Sequence, residues 1–384
     1  MFLKNKQSVP ADKYLIITVL LLIIFGLVML FSASLAIAQS NFGDPYYYVK
    51  RQFFGLFLGL ALFFFLYKID YHFFKKYSFF ALLLSFVLLI LVFVPGIRNE
   101  YGTSYRWIVV FGNSFQVSEA VKLLFLFYLS AWLESRKDDL KKFSNGILPF
   151  LSVLILIGVF ILRQPDLGTF LIIGFISLMV YMVAGGNSSH LFILFLLMAI
   201  SVLFVFNNIN SNEENSIIRS YQAERIKCLQ NPDFDKNICY QVNQSMIAVG
   251  SGGLWGRGLG ESRQKFNYLP EVWADSIFPV IAEEIGFIGS FILILVYFFI
   301  FVRGMIIAGR APDLFGKSLA VGISVWIFIQ AFLNIGGMIN LIPMTGAPLP
   351  FVSAGGTSLL MLLVAFGILI NISRQAKNNN YEGQ

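Results

Sequence analysis

Side chains able to do chemistry gather in three stretches of this sequence. The densest runs Gly250-Ser-Gly-Gly-Leu-Trp-Gly-Arg-Gly-Leu-Gly260 and continues Glu261-Ser-Arg-Gln-Lys-Phe-Asn-Tyr-Leu-Pro-Glu-Val-Trp-Ala-Asp275. Glycines allow backbone amides to approach a ligand closely, and Arg257, Arg263 and Lys265 add charge suited to phosphate. A tight interfacial turn with snorkelling basic residues accounts for the same pattern, and the run matches neither the Walker nor the dinucleotide fingerprint. The second set is charged residues at the ends of apolar runs or inside them, where a charge costs about 2.5–3.5 kcal/mol on insertion scales. Glu119 and Lys122, three apart, can pair on one helix face; Arg163 and Asp166 bracket Gln164-Pro165; Glu283 and Glu284 follow Asp275 by about two turns. Each has a plain structural ion pair as its alternative. The third stretch, Pro343 to Ser358, holds three prolines and three glycines, which forbid regular helix. Thr357 and Ser358 there lead into an apolar run whose N-terminal amides could face an anion, or the stretch forms a plain re-entrant turn.

Apolar helices must position these groups. Of 384 residues 57% are hydrophobic, 42 of them Phe, and 13% are charged, a composition that excludes an ordinary soluble globular protein. Windows of about 20 apolar residues, enough to cross ~30 Å of hydrocarbon, fall at 14–36, 53–67, 78–94, 117–133, 147–163, 169–185, 189–207, 277–302, 318–340 and 357–373. The expected fold is all-α and polytopic, one domain over 1–384 with about ten transmembrane helices. The first run lacks a closely following small-residue cleavage site and reads as a retained helix. Ten crossings put both termini on one side, and the short loops there carry Lys4, Lys13, Lys68, Lys75, Lys76, Arg136, Lys141, Arg303, Arg310 and Arg374 among others. The positive-inside rule makes that side cytoplasmic. The formal charge of +7 thus reads as topology and contact with anionic membrane lipids, with no nucleic-acid partner.

The same count places the long 208–276 loop outside, between the seventh and eighth helices. Its start, Asn207 to Asn215, reads as flexible, whereas from Gln241 onward it is Gly-rich and aromatic, as suits a structured interfacial surface. Cys228 and Cys239 both lie in it, either paired in an oxidising compartment or as two free thiols. The only histidines, His72 and His190, fall on the cytoplasmic side, so no external His-based metal cluster or Ser-His-Asp triad can form. Outer-face proton transfer then falls to a carboxylate, Lys, Tyr or water. The candidate carboxylates are Glu119, Asp166, Glu224, Glu261, Glu271, Asp275, Glu283 and Glu284.

In this order these clusters resemble the SEDS family (shape, elongation, division and sporulation), the FtsW/RodA/SpoVE-type peptidoglycan glycosyltransferases. The resemblance covers nearly the whole chain. It rests on Phe31-Ser-Ala-Ser34, Tyr48-Val-Lys-Arg-Gln52, Arg106-Trp-Ile108, Gln116-Val-Ser-Glu-Ala-Val-Lys122, Gln164-Pro-Asp-Leu-Gly168, the glycine-rich run, Leu269-Pro-Glu-Val-Trp-Ala-Asp275, Glu283-Glu-Ile-Gly286 and Pro343–Ser358. Ser262-Arg-Gln-Lys265 is more similar to the division or sporulation branch than to the elongation branch. Three departures stand out: Val117 where the family usually has Pro, Trp273-Ala274 where it has His-Thr, and Ala354 where it has Tyr; they bear on the shape of the acceptor pocket.

The resemblance implies polymerisation of lipid II into β-1,4 glycan at the outer face of a bacterial cytoplasmic membrane, with Asp275 as the catalytic residue. The chemistry agrees, because an acceptor hydroxyl must lose its proton as it attacks an α-linked sugar pyrophosphate, through an oxocarbenium-like state. Pyrophosphate leaves without an acid and needs charge stabilisation, for which Arg106, Lys122, Arg257 and Lys265 are candidates. Glu119, Asp166, Glu271, Ser353, Gly355 and Gly356 complete the expected substrate-binding set. A divalent cation, Mg²⁺ or Mn²⁺, would aid the leaving group, though no ligand cluster for it is visible. The implied partner is a class B penicillin-binding protein. A lipid II flippase and a non-catalytic scaffold for a cell-wall transpeptidase are the competing readings, and an N-cap role is the competing reading of Asp275.

Overall fold

The computed structural model describes residues 10–96, 106–110, 113–187, 192, 196, 200, 220–232, 234–235 and 237–376. In chain order the described elements are α1 (Lys13–Phe42), α2 (Tyr47–Lys68), α3 (His72–Lys76), α4 (Ser78–Leu91), β1 (Trp107–Val110), β2 (Asn113–Gln116), α5 (Val117–Ser135), a π-turn (Phe143–Ile147) running into α6 (Leu148–Arg163), α7 (Leu167–Val183), α8 (Ser220–Gln230), α9 (Tyr240–Ser251), α10 (Ile277–Arg310), α11 (Leu314–Met338) and α12 (Gly356–Arg374). The chain is thus an all-helical polytopic membrane protein with one small hairpin. Among the described residues six helices are long and apolar enough to cross a membrane: α1, α2, the π-turn with α6, α10, α11 and α12. α4 and α7 are shorter apolar helices, and α5 carries Glu119, Lys122 and Glu134 among its apolar residues. The seventh expected span, 189–207, lies outside the described residues except for Phe192, Leu196 and Ile200, which are helical and exposed. His190, the 207–215 stretch and the chain's two extreme ends also lie outside them.

Aspartates set several helix starts, each accepting an orphan amide of the first turn. Asp12 accepts from Leu15 N–H at 3.1 Å, Asp166 from Thr169 N–H at 3.1 Å and Asp313 from Gly316 N–H at 2.7 Å. α11 and α12 form the centre of the bundle, with 83% and 78% of their apolar windows buried, against 22% for α2 at the periphery. Phe53, Phe54, Phe57, Phe64 and Phe65 on α2 face outward, where lipid is the natural solvent. Small residues bring the outer helices onto the centre. A Cβ on Gly26 would come within 2.6 Å of Phe351 O, and one on Gly55 within 2.8 Å of Gly356 Cα.

The segment between α11 and α12 is non-helical, as its prolines dictate, and it is buried in protein. Its carbonyls must therefore find donors, and side chains from four helices supply them. Arg225 of α8 donates to Met344 O at 2.6 Å, Asn334 of α11 to Ala347 O at 2.8 Å and Gln330 of α11 to Pro348 O at 2.9 Å. Tyr297 of α10 donates to Pro350 O at 2.7 Å and Gln52 of α2 to Ser353 O at 3.1 Å. This segment ties α2, α8, α10 and α11 together.

At the opposite, expected cytoplasmic end, the turn after α2 is tied to the α10–α11 turn. Tyr71 Oη donates to Asp313, and His72 lies 3.0 Å from Asp313 and 2.6 Å from Asp70. The hydrogen bond to Asp313 and the Asp70 charge outweigh burial and push His72 up to about 9. Burial works to raise Asp313, but hydrogen bonds from His72, the Gly316 amide and Tyr71 pull it down to about 2.

Candidate active site

Asp275 sits in the turn that leads into α10. Buried Leu269 and Val272 anchor that turn, and Glu271 O accepts from Ala274 N–H at 2.9 Å and Ser276 N–H at 3.2 Å. Trp273 stacks on Tyr48 of α2 with ring centroids 4.8 Å apart, while its carbonyl accepts from Ala354 N–H at 2.7 Å. Asn334 Nδ2 donates to Asp275 O at 2.7 Å, the same amide group that holds Ala347 O. Gln241 of α9 donates to Ser276 Oγ at 2.8 Å. The backbone of Asp275 is therefore clamped by α2, α9, α11 and the Pro343–Gly355 segment together. The N-cap position of α10 belongs to Ser276, one residue beyond Asp275, so capping does not account for the aspartate.

Its carboxylate faces two guanidiniums. A Cβ on Gly346 would lie 3.5 Å from Asp275 Oδ2, 3.7 Å from Arg106 Nη1 and 3.8 Å from Arg225 Nη1, so all three side chains converge on that glycine, whose φ of 70° brings the backbone in. Arg106 is delivered by the hairpin: β1 and β2 pair with Trp107 opposite Gln116, and Arg106 O accepts from Val117 N–H at 3.2 Å, a bond that a proline at 117 could not make. Arg106 Nη2 donates to Pro165 O at 2.5 Å, and Nη1 lies 3.7 Å from Asp166 Oδ1. Asp275 Oδ1 and Arg106 Nε are sealed from solvent without a hydrogen-bond partner. An acceptor and a donor left open on two side chains that converge at Gly346 mark a place where a polar ligand completes the structure. Burial pushes the Asp275 carboxyl above the usual range, opposed by Arg225, by the nearby amides of Asp275 and Ser276, and by Arg106. Glu271, at the rim, is pushed up to about 7 by burial and by the Asp275 charge.

The other candidates from the sequence fall into supporting layers. Lys122 is buried and donates to Glu119 at 2.8 Å and to Gln330 Oε1 at 2.6 Å, below the Pro348 carbonyl that Gln330 holds. Ser353 Oγ accepts from Leu349 N–H at 2.8 Å, and Gly355 N–H donates to Gln52 Oε1 at 3.1 Å, so both fix the start of α12. Gly356 packs against Gly55 of α2. Arg257 and Lys265 are drawn to a different place: Arg257 lies 3.5 Å from Glu283, and Lys265 lies 3.0 Å from Glu284 and also donates to Ser32 of α1. The glycine-rich run is docked on α10 where that helix breaks at Gly286 (φ 70°, ψ −171°), with Arg257 N–H donating to Glu283 O at 2.9 Å and Gly258 N–H to Glu284 O at 3.0 Å. Its glycines thus approach protein backbone, as an interfacial turn, and Leu254, Trp255 and Leu259 are left exposed.

Arg225 is the site residue that sequence reasoning missed. It lies in the long 208–276 loop beside Arg219 and Lys227, and no local pattern separates it from them. Cys228, one helical turn further on, is joined to Cys239 with a Cα separation of 5.4 Å. Among the described residues no group of three or more His, Cys, Asp or Glu side chains converges to hold a metal.

Comparison with known proteins agrees with this architecture. The chain is 38% identical over 374 residues to stage V sporulation protein E of Bacillus subtilis (strain 168), covering 97% of this chain and 99% of that one. It is 37% identical over 367 residues to the probable peptidoglycan glycosyltransferase FtsW of Trichlorobacter lovleyi, covering 95% and 94%. Among solved structures it superimposes with a TM-score of 0.76 and 26% identity, covering 95% and 98%, on a chain from work on the structural coordination of polymerization and crosslinking by a peptidoglycan synthase complex. The cell cycle protein model FtsW/RodA/SpoVE matches residues 12–378, and the chain belongs to that family.

Proposed function

We propose that this protein is a peptidoglycan glycosyltransferase that joins lipid II units into β-1,4 glycan at the outer face of a bacterial cytoplasmic membrane. One observation carries the reading: the Asp275 carboxylate, its Oδ1 without a hydrogen-bond partner, converges through Oδ2 with two backbone-anchored arginines at Gly346. In this reading Asp275 takes the proton from the acceptor's sugar hydroxyl as it attacks the anomeric carbon of the donor. Its raised proton affinity suits a base working near neutral pH. Arg106 and Arg225 balance the charge that develops on the departing pyrophosphate. Asp166 orients Arg106, and Lys122, Glu119 and Gln330 act one layer below by fixing the Pro348 backbone. Among the described residues the carboxylates near Asp275 do not gather into a set that would hold a resident metal. Arg257 and Lys265 serve the fold of the outer loop in this account.

A lipid II flippase would need a route to the other face. The bundle centre is filled by Trp326, Tyr297, Phe125 and Phe315, all fully buried, which favours the enzyme. A scaffold alone leaves the open carboxylate without a role. The basic short loops favour cytoplasmic termini, and external labelling of a Gln384→Cys variant in intact cells would contradict that. The partner we propose is a single-pass class B penicillin-binding protein, packed in the membrane against the Phe-rich outer helices. The decisive experiment supplies purified protein with lipid II, with and without that partner. Glycan chains made faster with the partner support the reading, and no glycan under either condition rejects it.

A further inference from the structure

We infer that the Cys228–Cys239 disulfide is a positioning device for the active site, holding Arg225 as the second guanidinium of the donor-pyrophosphate subsite. This inference rests on the glycosyltransferase reading above and deepens it. Arg225 and Cys228 are three apart on α8 and so lie on one face. Both cysteines are buried, and Cys239 occupies the N-cap position of α9. α9 in turn is fixed to the bundle beside the reacting aspartate, through Gln241 to Ser276 at 2.8 Å and through Ser245 to Met338 of α11 at 3.7 Å. The covalent path therefore runs from the rigid bundle through α9 and the disulfide to α8. Arg225 then reaches back to Met344 O and to the Gly346 pocket.

The two arginines are held in the same manner from different elements. Arg106 is anchored on Pro165 O and Arg225 on Met344 O, at 2.5 and 2.6 Å, and both come within van der Waals reach of the space above Gly346. A guanidinium is a planar fork of five N–H groups, and each of these two is fixed by a main-chain carbonyl. A pyrophosphate presents two charged groups, which two fixed forks can grip in parallel. Arg106 owes its position to the hairpin and to Asp166. Arg225 comes from a helix in the outer loop, and the disulfide is what binds that helix to α9.

Two consequences separate this role from that of a simple staple. Asp275 is faced by Arg225 from α8, by Arg106 ahead of β1 and by Glu271 from its own turn, with Asp166 of α7 bound to Arg106. Removing Arg225 takes away a cation, so Asp275 holds its proton to higher pH and the acid limb of the pH–rate profile moves up. Freeing α8 by breaking the disulfide moves the limb the same way, because Arg225 is then no longer held there.

The test uses the full-length protein with lipid II, comparing wild type, Arg225→Gln, Arg225→Lys and the double variant Cys228→Ser/Cys239→Ser. Arg225→Gln is expected to lower kcat/KM roughly 10- to 100-fold, the range for losing a hydrogen bond to a charged group, and to raise the acid limb; Arg225→Lys recovers part of the loss. The double variant, monodisperse and folded, is expected to lower kcat/KM and raise the acid limb in the same sense. A double variant with a lower melting temperature but wild-type kcat/KM and acid limb overturns the positioning role. Wild-type kcat/KM in Arg225→Gln overturns the subsite. If the serine pair does not purify, Cys228→Ala/Cys239→Ala, which leaves no polar group in that buried spot, takes its place, and the Arg225→Gln profile stands independently. Asp275→Asn in the same assay keeps the two failures apart: near wild-type activity there rejects the catalytic reading itself, while loss of activity there with no effect at Arg225 rejects only this inference.

Discussion

Gly256→Ala tests the claim that the glycine-rich run is a docking surface for protein backbone. Gly256 has φ 83°, and a Cβ there would meet Glu284 O at 2.2 Å, Glu284 C at 2.6 Å and Gly286 N at 2.7 Å. All three are main-chain atoms of α10 at its break, so no side chain can rotate away. A non-glycine residue in the left-handed region costs about 1–2 kcal/mol, and overpacking adds about 1–3 kcal/mol. If the loop lifts instead, it loses backbone bonds from Arg257 to Glu283 O, Gly258 to Glu284 O, Phe287 to Gly253 O and Ile288 to Leu254 O, at about 1 kcal/mol each. The first route costs roughly 2–5 kcal/mol and the second about 4 kcal/mol. The control is Gly250→Ala, in α9, where an added Cβ meets nothing within 4 Å and the helix gains up to about 1 kcal/mol. Thermal unfolding in detergent should show Gly256→Ala melting roughly 5 °C or more below wild type, with Gly250→Ala at or above it. Equal melting temperatures for the two variants would refute the docking argument.

Two pH-dependent stabilities follow from the titrating groups. Glu271 is raised from 4.5 to about 7, so it binds a proton more tightly in the folded state, and its contribution is full below 4.5 and is lost as pH rises through 7. Between those values the melting temperature of wild type should fall with pH relative to Glu271→Gln, and parallel curves would show that the carboxyl is not perturbed. His72 is raised from 6.5 to about 9, so its bridge between Asp70 and Asp313 stabilises fully below 6.5 and fades toward 9. A His72→Gln variant should therefore melt below wild type at pH 6 and match it near the upper value, and a gap that grows with pH would count against the bridge. Tyr71→Phe leaves Asp313 without one of its donors and should cost about 1.5–3 kcal/mol, measured by unfolding, with no change in the pH of the acid limb of polymerisation.

Six long spans were legible because each needs about 20 apolar residues; the caps Asp12 and Asp313 were not, since each becomes a cap only through the first-turn amide it accepts in the folded helix. The hairpin was not, since Trp107–Val110 and Asn113–Gln116 are four residues each and carry no periodicity long enough to count. Nor was the break in α10, because the apolar run continues through Gly286 and only the docked loop requires it. Within the site, Arg106, Asp166 and Asp275 were singled out in sequence and lie together. Arg257 and Lys265 looked like phosphate ligands because their partners, Glu283 and Glu284, are about 20 residues away in sequence and the pairing is tertiary. Lys122 carries the right charge, but its burial against Gln330 and Trp326 puts it beneath the pocket. Arg225 is invisible locally and becomes meaningful only when α8 is folded back by the disulfide.

If Asp275 is the base, the Asp275→Asn protein must fold normally and lose turnover. The amide keeps the shape of the side chain and leaves the backbone clamp from Asn334 in place, while removing the basicity. Initial rates of glycan formation from lipid II, with the partner present, are expected to fall roughly 10²–10⁴-fold in a variant that unfolds at the wild-type temperature. A folded Asp275→Asn protein that polymerises lipid II near the wild-type rate would contradict the account.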